Sequence, residues 1–308
     1  MKLITFRQQA GAVGTGVVLD AGVLDISNWL TQLQPSGDAQ RHNAAAGINA
    51  PGGGMLRWLQ AGSNQIDLLA AHVRQALDQP STTFEAFSGL ALYAPVPRPG
   101  KIIGVGRNYA DHAKETGMQP SEKPRIIFKV PSSIAAPGAT VVRPESVAKM
   151  DFEAELAVVI GGYGKNVPEA DAMALVAGYT ILNDLSAREF QFDTSPPQTT
   201  FAKSMDGFAP MGPWLVTRDE VPDPQTLDVS CWLNGVQMQQ GHTADMLFSV
   251  AHLISYLSRF MTLEPGDVVA TGTPAGIGAF RTPPLYLKPG DQLRFAVSQV
   301  GEMTHLIG

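Results

Sequence analysis

Three acids stand at every second position in Asp151-Phe152-Glu153-Ala154-Glu155, and an apolar run from Leu156 to Ile160 follows before Gly161-Gly162. Side chains alternate faces along a strand, so the three carboxylates are expected on one face. No Lys or Arg is interleaved to offset their repulsion. Two readings stay open on this stretch alone: a solvated strand face, where acids need no partner, or a bound cation. An oxygen-only donor set selects a hard ion, Mg²⁺ first, with Mn²⁺ or Ca²⁺ as alternatives. Asp184, at the end of the apolar stretch Tyr179-Thr180-Ile181-Leu182, either delivers a further oxygen ligand or caps the turn at Leu185-Ser186. His112 and Glu115 are neighbours at i and i+3 in a short predicted helix, with Asn108 as its N-cap and Gly117 just past its end. A carboxylate beside an imidazole orients it and raises its basicity, as a general base requires. The same spacing also fits an exposed helix pair without a role. Lys203 suits an anionic substrate group if it lies near the acids and is a surface lysine otherwise. The loop from Thr271 to Gly278 can present backbone N–H groups and Thr hydroxyls to an anion. It carries no Gly-Lys-Ser/Thr, and Gly104-Val105-Gly106 lacks the third glycine of a dinucleotide fingerprint.

The elements that must position these groups divide at Pro95-Val96-Pro97-Arg98-Pro99-Gly100, where three prolines in five residues enforce an extended segment. A chain of 308 residues fits two domains at roughly 150 residues each, or one large one. Residues 1–95 read as an N-terminal accessory domain. It has short strands over 2–26, a polar loop over 34–54 that includes Pro51-Gly52-Gly53-Gly54, and helices over 55–79. His42 and His72 stand alone there and read as surface or packed histidines. Residues 100–308 read as the catalytic part. Strands are predicted at 101–106, 126–129 and 151–160, an Ala-rich helix over 169–179, and a hairpin turning at Asn234-Gly235. A helix is predicted over 244–260, with His252 in a structural role. Hydrophobic residues are 44% and charged residues 16%, a globular balance. The 31 Gly and 23 Pro residues imply a turn-rich, strand-containing fold. A net charge of −6 argues against non-specific nucleic-acid binding. The single Cys231 excludes an intrachain disulfide. The apolar stretch at the N-terminus is too short for a signal peptide, and no run approaches the ~20 residues of a membrane helix. The expectation is a cytoplasmic protein without a membrane or nucleic-acid partner.

These segments, in this order, resemble the fumarylacetoacetate hydrolase family. The matching pieces are Gly106-Arg107-Asn108-Tyr109 with His112 and Glu115, Asp151 to Leu156, Asn183 to Arg188, Lys203-Ser204-Met205-Asp206, Met211-Gly212-Pro213-Trp214, Leu263 to Asp267, and Thr271-Gly272-Thr273-Pro274. The resemblance implies a mixed α/β, β-rich fold: a rolled mixed-sheet catalytic domain behind a small N-terminal α+β domain, in a homodimer. It implies Mg²⁺ or Mn²⁺ held by Glu153, Glu155 and Asp184, with Asp151 in support. His112, Glu115 and Lys203 become the expected catalytic groups. Arg107, Tyr109, Arg188, Gln191 and Thr273 are the expected contacts to a small oxo-acid substrate. The implied activity is hydrolytic cleavage of a carbon–carbon bond in a β-diketo acid, an acylpyruvate or a 2,4-diketo-3-deoxy sugar acid, through a metal-stabilised pyruvate enolate. An oxaloacetate-type decarboxylase and an isomerase of unsaturated 2-hydroxy dioates are the alternatives. A non-catalytic carboxylate-binding protein is a third reading, disfavoured because a binder needs no base.

Overall fold

The structure, a computed structural model, describes all residues except 9–10, 39–52, 63, 116 and 118–120. His42 and Pro51-Gly52 lie outside the described residues. Eleven of the described strands join in one mixed sheet. They are β1 (Lys2–Arg7), β2 (Val13–Leu19), β3 (Gly22–Asp25), β4 (Leu92–Tyr93), β5 (Ile102–Gly106), β6 (Arg125–Lys129), β7 (Ile134–Ala135), β10 (Ala154–Ile160), β11 (Val176–Asn183), β13 (Ala209–Thr217) and β16 (Val268–Ala270). Its path is β3-β2-β1-β13-β11-β10-β16-β5-β6, with β4 against β1 and β7 against β13. A second sheet contains β8 (Thr140–Val141), β14 (Asp228–Leu233), β15 (Val236–His242), β17 (Gln292–Val297) and β18 (Gly301–Ile307). Two short strands, β9 (Met150–Asp151) and β12 (Ser186–Ala187), pair alone. The sheets are open and mixed rather than closed into a barrel. Pairing of β1 with β13 carries the large sheet across the boundary expected at Pro95–Gly100.

Strand β10 is buried along its whole length, which is why its sequence is an apolar run rather than an alternation. Its two faces serve two cores. Leu156, Val158 and Ile160 pack with Val229, Phe295 and Met303 of the second sheet. Ala157 and Val159 pack with Trp58, Leu59 and Leu69 of helices Gly53–Leu59 and Gln65–Leu77. The period of two thus sends neighbouring residues into different layers. The hairpin at Asn234-Gly235 is present, with both residues at positive φ as its turn requires. Cys231 is a buried strand thiol.

Three expectations are corrected. The Ala-rich segment is a 3₁₀ helix only over Glu169–Leu175, and β11 begins at Val176. Sheet pairing on both sides overrides helix propensity there. The close approach needs Gly178, since a Cβ at that position would meet the Val216 carbonyl oxygen at 2.0 Å. The helix expected over 244–260 starts at Val250, where the Ser249 hydroxyl accepts the His252 N–H. Asn108 does not cap the His112 helix. Its amide accepts the Phe248 N–H and donates to the Phe248 and Thr271 carbonyls, tying three segments together.

His305 of β18 is 1% exposed and stacks on Phe295. Burial pulls its pKa down to about 3. An unfolded imidazole titrates near 6.5, so between those values the unfolded chain binds a proton that the folded one does not. Stability therefore falls as pH drops from about 6.5 toward 3, by on the order of 4 kcal/mol across the window. His305→Gln, which keeps an acceptor for Asn183, is expected to flatten that part of the urea-denaturation profile. An unchanged acid slope would refute the assignment.

Candidate active site

The antiparallel register pairs Ala154 of β10 with Asn183 of β11, so the residues flanking that pair, Glu153 and Asp184, arrive side by side. The Asp184 N–H donates to the Glu153 carbonyl at 3.0 Å. Glu155 completes a group whose carboxylate oxygens lie within 4.8 Å of one another, all three residues buried. At an effective dielectric of about 20, like charges that close repel by roughly 3 kcal/mol per pair. The three expected ligands are therefore brought together, and at a cost.

Asp151 is not on the same strand as Glu155, contrary to the simple alternation. Three successive backbone N–H groups are diverted from any ladder. Phe152 N–H goes to Asp151 Oδ1 (2.9 Å), Glu153 N–H to Asn183 Oδ1 (3.0 Å), and Ala154 N–H to Gln239 Oε1 (2.9 Å). The chain breaks there, and Asp151 turns to a different task. It accepts from Arg188 Nε at 2.9 Å and from the Gly278 and Ala279 N–H groups.

Cations from distant segments offset most of the charge. Lys203 Nζ donates to Glu153 Oε2 and Asp184 Oδ2, each at 2.7 Å, and to Ser186 Oγ at 2.8 Å. Arg188 Nη2 reaches Glu153 Oε1 at 2.7 Å, and Nη1 reaches Gln191 Oε1. Lys129, at the end of β6, donates to Asp184 Oδ1 at 2.6 Å and to the Lys203 carbonyl. Burial would raise the Glu153 carboxyl, but Lys203 and Arg188 outweigh it and hold it well below the ordinary range. Burial would lower Lys203, but Asp184 and Glu153 keep it raised. Lys129 goes the other way, since burial dominates and pushes it down. Glu155 is left out of this scheme. Among the described residues its carboxylate accepts one hydrogen bond, from Gly272 N–H at 2.9 Å. Burial, then the charges of Asp184 and Glu153, push it well above the usual range. A buried carboxyl in that position fits a divalent cation shared with Glu153 and Asp184, whose charge would oppose each of those effects. The oxygen-only donor set suits a hard ion.

The acid–base pair is also assembled. His112 Nδ1 lies 3.1 Å from Glu115 Oε2, while Glu115 Oε1 accepts the Gly276 N–H at 2.9 Å. The expected anion-binding loop therefore spends its backbone donors on the protein's own Glu155, Glu115 and Asp151. His112, Arg107, Arg188, Gln191, Lys203 and Thr273 line one cavity with the three carboxylates. The Thr273 hydroxyl accepts from Gln239 Nε2 at 2.7 Å, which leaves its proton to donate. Arg188 faces the cavity, but each of its three nitrogens is engaged by the protein. Tyr109 departs from expectation. It is fully buried and absent from the cavity wall, and burial and nearby Glu155 raise its hydroxyl pKa. Glu115 contacts His112 and lies outside the cavity wall.

Sequence reasoning missed Lys129, Gln239 and Arg125. Lys129 carried a faint signal. It ends the apolar strand Ile126-Ile127-Phe128 on the parity of buried Ile127, where a charge needs a partner inside. Gln239 carried none, because its partners are remote in sequence, and Arg125 carried none, because strand register alone brings it to the cavity.

Mixed open sheets surround a buried carboxylate triad, and His112, paired with Glu115, lines the same cavity. The domain described as fumarylacetoacetate (FAA) hydrolase C-terminal matches residues 101–307, and the chain belongs to the fumarylacetoacetate hydrolase family. It is 45% identical over 214 residues to the mitochondrial oxaloacetate tautomerase of Homo sapiens, covering 70% of this chain and 68% of that one. The solved fumarylacetoacetate hydrolase of Exiguobacterium antarcticum superposes with a TM-score of 0.78 at 31% identity, over 100% and 99% of the two chains. The maleylpyruvate hydrolase of a Sphingobium species, solved with manganese(II) and pyruvate, gives 0.77 at 30% identity over 100% and 98%. These relatives are enzymes, and they divide between tautomerase and hydrolase. No helix among the described residues is long and apolar enough to cross a membrane.

Two outcomes follow from this geometry. Asp151→Ala leaves Arg188 buried with half its carboxylate partners and is expected to lower unfolding stability by about 3–5 kcal/mol, read by urea denaturation. Excess Mg²⁺ or Mn²⁺ is expected to raise the thermal midpoint of the wild type by a few degrees, and Glu155→Gln to remove that rise. A midpoint indifferent to both ions in the wild type would exclude the cation site.

Proposed function

We propose that the protein interconverts the keto and enol forms of a small 2-oxo acid of the oxaloacetate type, with a divalent ion as cofactor. The observation that carries this reading is the oriented His112–Glu115 pair lining the same cavity as the carboxylate triad. Glu153, Glu155 and Asp184 would hold the ion, which when bound supplies Lewis-acid polarisation of a substrate carbonyl. Glu115 accepts from the Nδ1 side of the ring, so the lone pair sits on Nε2, the nitrogen left for substrate. In the keto-to-enol direction Nε2 takes a proton from the carbon next to the ketone, and the imidazolium returns it to the oxygen that was the ketone. Thr273 Oγ1 donates to a substrate carboxylate. Lys203 keeps Glu153 and Asp184 in place and adds positive charge beside the developing oxyanion. Similarity to the human oxaloacetate tautomerase supports this direction.

Hydrolytic carbon–carbon cleavage of an acylpyruvate is the second reading. Similarity over the whole chain to the maleylpyruvate hydrolase favours it. There the same Nε2 takes its proton from water instead of carbon.

Freshly dissolved enol-oxaloacetate and an acylpyruvate, each with Mg²⁺, separate the two readings by ultraviolet absorbance. Faster loss of the enol without release of pyruvate supports tautomerisation, whereas stoichiometric pyruvate from the acylpyruvate supports hydrolysis. His112→Ala is expected to lower kcat by about 10²–10⁴-fold while changing KM little. Equal losses in kcat and affinity would make His112 a binding residue instead.

A further inference from the structure

Arg107 and Arg125 stand apart from every other cation on the cavity. Arg188, Lys203 and the nearby Lys129 are each committed to carboxylates. The arginine pair also lines the cavity, yet among the described residues neither side chain has a hydrogen-bond or ion-pair partner. The fold makes them neighbours. The β5–β6 register sets Arg125 opposite Gly106, and Arg107 is the next residue along. Gly106 leaves room for this arrangement: a Cβ there would lie 3.4 Å from Arg125 Cδ and 3.2 Å from Ile127 Cδ1. Arg107 holds φ at 58°, a left-handed conformation that costs a long side chain free energy. Burial, and then the charge of Arg125, lower its pKa. Two like charges held adjacent oppose folding, and here no acid of the described protein relieves them.

We propose that Arg107 and Arg125 form the seat for a second anionic group of the substrate, which makes the enzyme selective for 2-oxo diacids over 2-oxo monoacids. The proposal rests on the reading that this cavity takes a 2-oxo acid. One substrate carboxylate and the ketone belong with the triad and Thr273. The other carboxylate supplies the counter-charge that the arginine pair lacks. A guanidinium matches a carboxylate with paired, charge-assisted hydrogen bonds. A monoacid leaves both cations unpaired in a partly buried wall, and sites of that kind reject the analogue that lacks the group.

Binding tests this without requiring turnover. L-Malate and 2-hydroxybutyrate share a 2-hydroxy acid head and differ in the second carboxylate. Isothermal titration of the Mg²⁺-loaded protein is expected to show malate binding at least 30-fold more tightly. Arg125→Ala and Arg107→Ala are each expected to reduce that ratio to under 5-fold, Arg125→Lys to restore part of it, and Arg98→Ala, which removes an exposed charge outside the cavity, to leave it intact. Thermal midpoints report whether the variants fold, and the lysine variant carries the test if an alanine variant does not. No preference in the wild type, or a preference that survives both arginine substitutions, overturns the proposal. If the arginine-dependent preference holds while neither oxaloacetate enol nor an acylpyruvate is turned over, the seat stands and the reaction reading fails.

Discussion

Charge balance among the buried carboxylates is the constraint on which the rest of this structure depends. Glu153, Glu155 and Asp184, all buried, place oxygens within 4.8 Å of one another. Three mutual repulsions at about 3 kcal/mol each would approach the whole stability of an ordinary domain, about 5–15 kcal/mol. Lys203 answers that cost directly, since its ammonium lies on Glu153 and Asp184 together. Arg188 takes the other Glu153 oxygen and Lys129 the other Asp184 oxygen. The protein therefore carries most of the counter-charge for its own carboxylate cluster. What remains uncompensated is concentrated on Glu155.

That solution dictates local departures from regular structure. The chain leaves the sheet over Phe152–Glu153 because side chains of Asp151, Asn183 and Gln239 capture three consecutive N–H groups. The break frees Asp151 from the strand that carries Glu155 and lets it join Arg188 to the Gly278–Ala279 turn. A side chain is excluded at Gly278, since a Cβ there would fall 1.9 Å from the Leu285 carbonyl oxygen and 2.7 Å from Asp151 Oδ1. Asn183 extends the arrangement inward to His305 at 3.1 Å. Carboxylate placement, turn geometry and the second sheet are thus parts of one hydrogen-bonded unit, and much of the site is buried with it.

The opposite side of the site is built more lightly. The His112 helix is short, and among the described residues it is tied to the Gly-rich loop by Glu115 on Gly276 N–H and Asp111 on Ala275 N–H. The pair proposed to move the proton thus sits on a short helix, while the buried carboxylates lie on or next to β10 and β11. Relatives of this chain are named for different reactions, a tautomerase and a hydrolase, and under the proposed reading the cavity wall beyond the carboxylates decides what is enolised. Arg107 and Arg125 belong to that wall.

By itself the sequence determined the parts whose partners are close along the chain. The His112–Glu115 pair, the Asn234-Gly235 turn and the apolar character of β10 are local, and each follows from spacing, turn chemistry or burial on both faces. The ordered motifs determined the family. Local spacing placed the three acids of 151–155 on one strand face, and the fold removed Asp151 from it by side-chain capture of N–H groups that no local pattern announces. The last residues of a segment expected to be helical, from Val176 on, joined β11 because pairing with β10 and β13 outweighed propensity. Tertiary structure also decided which cations meet which acids. Lys129 reaches Asp184 across 55 residues and Gln239 reaches Ala154 across 85, and register between strands, not sequence spacing, sets Arg125 beside Arg107. Long-range electrostatic pairing is fixed by strand order and register, and those exist only once the sheets have formed.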